Sequence, residues 1–137
     1  MLLTAVTRAM SPEELVRRSH IIVRATALGY FHPPALPRAG RSDEISNGVV
    51  RFRVEKVMKG KFKRETLELE GHIIASDAPR KSPDAYVAGA EYLLMLREDA
   101  RGYDVSWAAP SPSSEQIRGE NDPWVSWVSR RIAKESH

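Results

Sequence analysis

Val50-Arg51-Phe52-Arg53-Val54-Glu55-Lys56-Val57-Met58-Lys59-Gly60-Lys61-Phe62-Lys63-Arg64-Glu65-Thr66-Leu67-Glu68-Leu69-Glu70 is the stretch on which the fold turns. Val50, Phe52 and Val54 alternate with Arg51, Arg53 and Glu55. A period of two puts the apolar side chains on one face of a strand and the charges on the other. The pattern breaks over Lys59-Gly60-Lys61-Phe62-Lys63-Arg64 and resumes from Glu65 to Glu70 with Leu67 and Leu69 inward. Two half-buried strands around a polar turn predict a hairpin.

On the N-terminal side, His20-Ile21-Ile22-Val23-Arg24-Ala25-Thr26-Ala27-Leu28 is β-branched and almost continuously apolar, as a strand covered on much of both faces would be. Ser11-Pro12-Glu13-Glu14 before it carries a hydroxyl N-cap, a proline at the first helical position and an acid at the third, which predicts a short helix from Pro12 to about Ser19. On the C-terminal side, Tyr92-Leu93-Leu94-Met95-Leu96 has the length and hydrophobicity of a strand. Glu98-Asp99-Ala100-Arg101-Gly102 fits a tight connection to an alternating strand over 103–107, so these two form a second hairpin. Proline and glycine mark loops at 31–48, at 71 to about 89 and at 109–122. Asp122-Pro123 opens a closing helix over 123–135, with Trp124, Val128 and Ile132 spaced four apart and Trp127 beside them. The expected architecture is mainly β: a five-stranded Greek-key barrel of the oligonucleotide-binding (OB) type, with a short N-terminal helix and a C-terminal amphipathic helix.

At 137 residues the chain predicts a single domain, with a tail over 1–10 and the barrel over 11–108. With 42% hydrophobic and 28% charged residues it has the composition of a globular protein rather than a disordered one. The absence of cysteine excludes disulfide scaffolds, thiolate metal sites and cysteine nucleophiles. No stretch approaches the ~18 apolar residues of a membrane span. Met1-Leu2-Leu3-Thr4-Ala5-Val6 is too short for a signal peptide and lacks its basic flank, which fits either a chain that starts here and stays inside or one whose export signal has been removed. Net charge is +3, unevenly spread: seven bases and one acid over 49–64 give a local +6, and eight acids and three bases over 65–99 give −5.

The basic strip supplies the candidate ligand-binding residues, Arg51, Arg53, Lys59, Lys61, Lys63 and Arg64. Four cations around an aromatic on one turn suit phosphates, sulfates or an acidic surface. Lysines at a sheet edge also discourage aggregation. Glu68 and Glu70 on the partner strand are expected to pair with Arg51 and Arg53 and to weaken that field. Phe52, the aromatic within the two strands, falls on the core face, which counts against base stacking. His20, His32, His72 and His137 lie far apart, so no metal ligand set is expected, and neither a serine-nucleophile elbow nor a carboxylate pair stands out. No catalytic residue and no cofactor is predicted. Trp124 and Trp127 are candidates for a partner surface, or for the apolar stripe that seats the helix.

Three pieces in order carry a resemblance: the helix leading into Ile21-Ile22-Val23-Arg24-Ala25, the strand ending in Lys59-Gly60, and Gly89-Ala90-Glu91-Tyr92-Leu93. Together, over about residues 11–108, they resemble the N-terminal domain of the tissue inhibitors of metalloproteinases and the wider netrin-like modules, in a cysteine-free, bacterial-type form. The resemblance implies an OB barrel, an extracytoplasmic location and a non-enzymatic binding or inhibitory role. Residues 1–10 lack the cysteine with which those inhibitors chelate zinc, so that mechanism does not transfer. The leading expectation is a binding module that contacts a protein or an anionic glycan through its loops and the 59–64 turn. The alternatives are a single-stranded nucleic-acid-binding OB domain and a protease inhibitor acting through a loop.

Overall fold

A strand that is apolar on both faces must be covered on both, and Ile21–His32 is the strand around which this molecule is arranged. The computed structural model describes residues 9–33, 48–77, 85–100, 102–109 and 111–135. In chain order its elements are Pro12–Arg18 (α1), Ile21–His32 (β1), Gly48–Lys59 (β2), Thr66–Ile74 (β3), Ala85–Tyr86 (β4), Glu91–Asp99 (β5), Gly102–Asp104 (β6), Ser114–Ile117 (β7) and Pro123–Glu135 (α2). β1 runs antiparallel to β2 on one side and to β5 on the other. The sheet reads β4-β3-β2-β1-β5-β6, and β7 also pairs with β5.

The two predicted hairpins are present as β2–β3 and β5–β6, and the two predicted helices flank the sheet in sequence. The closed five-stranded barrel is not: seven strands form an open sheet that curls into a half-barrel. Three local causes account for the difference. The strand expected over 103–107 ends at Asp104, whose Oδ1 accepts from the backbone N–H of Ser106 at 2.8 Å and from its hydroxyl at 2.6 Å, turning the chain into a 3-10 turn over Ser106–Ala108. β3 continues past Glu70 to Ile74, where β4 joins it in parallel through Ile73 and Ile74. The segment expected as a loop over 109–122 holds β7, with Ile117 opposite Glu91. The loop expected over 31–48 is shortened by β1 and β2, and its centre, 34–47, lies outside the described residues, as do 1–8 of the tail.

Alternation divides the apolar residues between two cores. Ile21, Val23, Ala25 and Ala27 of β1 face the inside of the curl with Val50, Phe52, Leu67, Leu69 and Leu94. There Phe52, Tyr86 and Tyr92 meet edge to face, with centroids 4.9 to 6.3 Å apart. Ile22, Leu93 and Met95 point out of the other face and are covered by Leu15 and Val16 of α1 and Val125 and Val128 of α2. A seven-residue helix has no stability of its own. α1 is held by its Ser11 cap, whose hydroxyl accepts from Glu14 N–H, and by that burial.

Candidate functional site

The predicted basic residues separate into two groups once their partners are known. β2 ends at Lys59, whose ammonium donates to the carbonyls of Val16 at 2.6 Å and Arg17 at 3.0 Å. These lie in the last turn of α1, where carbonyls have no partner within the helix. Lys59 therefore closes the C-terminal end of α1, and its partial burial pulls its pKa below the usual lysine range against the opposing pull of Glu135. Gly60 follows with φ +82°, and a Cβ there would lie 2.4 Å from the carbonyl oxygen of His20. Lys59-Gly60 is a joint between the hairpin and the start of β1.

Beyond that joint, Lys61, Lys63 and Arg64 are exposed and have no ion pair among the described residues. Phe62 between them is half-buried, its ring edge-on to Tyr103 of β6 at 5.5 Å. The Arg64 guanidinium stands 5.4 Å from the Phe62 centroid, within cation–π range. The turn is thus tied to α1 by Lys59, packed on His20 by Gly60 and seated on β6 by Phe62, with three cations outside.

Arg51 and Arg53 lie on the outer face of β2, as their alternation predicts, and both have carboxylate partners. Arg51 reaches Glu68 at 3.1 Å and stacks 4.2 Å over the ring of Phe31. The register puts Arg53 opposite Thr66 and Glu70 opposite Val49, so of the cross-strand charge pairs expected between these two faces the one across the register is Arg51–Glu68. Arg53 instead meets Glu55 of its own strand at 2.7 Å, and Thr26 Oγ1 donates to the same carboxylate oxygen at 2.9 Å. Those hydrogen bonds, Arg53's first, hold the Glu55 pKa below the usual carboxylate range. Exposed pairs of this kind stabilise by about 1 kcal/mol or less, but they consume the charge that a ligand would otherwise meet.

Trp124 and Trp127 stack on one another, with centroids 5.1 Å apart and planes 7° from parallel. Both are half-buried against the outer core. His20 accepts from the Glu98 N–H through Nδ1 at 3.0 Å, and His72 is buried beside Tyr86 at 5.4 Å. Among the described residues no three His, Asp or Glu side chains gather as a metal site would require.

Two of the open recesses among the described residues lie beside clusters of charged side chains. One, of about 430 Å³, lies along the seam where β3 faces β6, lined by Phe31, Tyr103, Arg64 and the carboxylates Glu68, Glu70 and Glu98. The other, of about 370 Å³, runs between α2 and the outer face of β1 and β2, with Arg24, Lys56 and Arg130 around it. Sequence reasoning did not single these three cations out. Arg24 was a signal in plain view, a lone charge inside an otherwise apolar strand, but its meeting with Lys56 and Arg130 depends on the β1–β2 register and on where α2 docks. Compared with protein-family models, curated proteins and solved structures, the chain matches none.

Proposed function

We propose that this chain is a non-catalytic binding module that engages an anionic glycan through Lys61, Lys63 and Arg64 at the end of the β2–β3 hairpin. The observation that carries the reading is the contrast within the basic strip: Arg51, Arg53 and Lys59 are occupied by partners, while these three cations are exposed and have no ion pair among the described residues, on a turn fixed at Lys59, Gly60 and Phe62. A preorganised array loses little conformational freedom when it binds. Closely spaced cations suit the regular negative charges of a sulfated polysaccharide, and such an interaction weakens as salt screens it. Binding of single-stranded nucleic acid has less support, because Phe62 is committed edge-on to Tyr103 and stacking platforms need an accessible ring face.

The test is a salt titration of binding to heparin beside mixed-sequence single-stranded DNA, with the wild-type chain and with Lys61→Glu, Lys63→Glu and Arg64→Glu combined. Heparin affinity is expected to fall at least about tenfold in the triple variant, with a shallower salt dependence. Undiminished heparin binding by that variant removes the reading. Base-dependent preference for DNA replaces it with the nucleic-acid one.

A further inference from the structure

The groove between α2 and the outer face of β1 and β2 brings together charges that the fold neutralises only in part. Arg24 and Lys56 are direct partners in the β1–β2 register, so two cations face each other across an antiparallel pair, which by itself is unfavourable. Arg24 is answered from the other side, its Nη1 lying 2.9 Å from Glu91 Oε1, with the two side chains only 12% and 17% exposed. Lys56 has no such answer among the described residues. A third cation, Arg130, comes from α2, where Ser126, Ser129 and Arg130 occupy positions i, i+3 and i+4 and so share one helix face. Arg130 likewise has no ion pair among the described residues. Met58 and Val125 contribute apolar lining, and Glu120 and Asn121 complete it. With Glu91 counted behind Arg24, the three cations outweigh these two carboxylates, and Glu55, which also feels Arg24, is already paired with Arg53.

We propose that this groove is a site for a tetrahedral oxyanion, phosphate or sulfate, either free or as the monoester of a small polyol. Lys56 and Arg130 supply charge-assisted hydrogen bonds to the anion, which are the stronger kind. Glu91 holds Arg24 in place beneath them, and the hydroxyls of Ser126 and Ser129 are donors for the remaining oxygens. At about 370 Å³ the recess is many times the ~30 Å³ share of a water molecule, so it has room for an anion together with a short polyol against Met58 and Val125. None of its lining residues belongs to the 60–64 turn, so this site and the glycan reading stand or fall separately.

The experiment follows backbone amide shifts of the full-length chain titrated with inorganic phosphate, inorganic sulfate and glycerol 3-phosphate. Saturable shifts are expected at Lys56, Ser126, Ser129 and Arg130, and Lys56→Gln with Arg130→Gln should weaken binding at least about tenfold. Both side chains are exposed, so the double variant should keep the wild-type spectrum elsewhere. Ser129→Ala, a milder change on the same face, should weaken the same shifts. Lys61→Gln with Lys63→Gln should leave them as they are. Tighter binding of glycerol 3-phosphate than of inorganic phosphate assigns the site to a monoester, and equal affinity assigns it to the free anion. Shifts that do not saturate with any probe, that persist undiminished in the double variant or that centre on the turn overturn the proposal.

Discussion

Lys59 and Gly60 show how far a residue's neighbours in sequence can mislead about its role. Composition places Lys59 in a run of seven bases, yet its ammonium is spent on the carbonyls of Val16 and Arg17. Lys59→Met should therefore lower stability by about 1 kcal/mol, read as a shift in the urea midpoint, and reduce heparin affinity far less than reversal of Lys61, Lys63 and Arg64 does. Gly60→Ala should do more harm than its size suggests. It places a Cβ against the His20 carbonyl at a positive φ, and a loss of about 2 kcal/mol or more in the same unfolding measurement is expected. The outward pointing of Arg51 and Arg53 was legible in the alternation, and so was cross-strand charge pairing with the Glu68/Glu70 face, though not that Arg51 would meet Glu68. Arg53's choice of Glu55 was not, because it depends on Thr66 rather than a glutamate falling opposite. Which cations remain unpaired is a property of register, and charge counting does not contain it.

Elements were readable where local chemistry and burial agree. Ser11-Pro12 and Asp122-Pro123 open α1 and α2 where capping requires, and the alternation of 50–55 and 66–69 builds the β2–β3 hairpin. β7 was hidden because Ser114-Glu115-Gln116-Ile117 has no strand composition; it is recruited by the free edge of β5. β6 was overextended because the run from Tyr103 to Trp107 alternates correctly, while the Asp104 side chain stops the strand by capturing Ser106. At the start of α2, Asp122 Oδ1 accepts from Trp124 N–H at 2.9 Å and Oδ2 from Arg118 N–H at 3.0 Å, joining β7's exit to the helix. Those two hydrogen bonds lower its pKa. A carboxylate with a depressed folded pKa contributes stability that is present above its unfolded pKa and lost as pH falls through the folded value. Denaturant midpoints measured from about pH 5 down to pH 2 should thus decline less steeply in Asp122→Asn, which still caps the helix but does not titrate.

At the scale of the whole molecule, function as proposed rests on where charge is left over. Reversing Lys61, Lys63 and Arg64 takes the net charge from +3 to −3, so loss of heparin binding alone does not separate a local array from the overall field. Reversing the exposed Arg118 and Lys134 instead takes the net charge from +3 to −1 at positions outside the turn, and that chain should retain most of its heparin affinity under moderate salt. The fold itself is built on β1, apolar on each face and flanked by β2 and β5. Its residues Ile21 to Thr26 meet Glu91 to Leu96, so the second partner of this central strand is made some seventy residues after the strand itself. A chain growing from its N-terminus carries β1 with one edge unpaired until β5 has been made, and the α2 that shields Ile22 follows β5. Such an edge is a template for pairing with other chains. Safe maturation then depends on keeping β1 apart from its copies on neighbouring ribosomes until β5 and α2 have emerged.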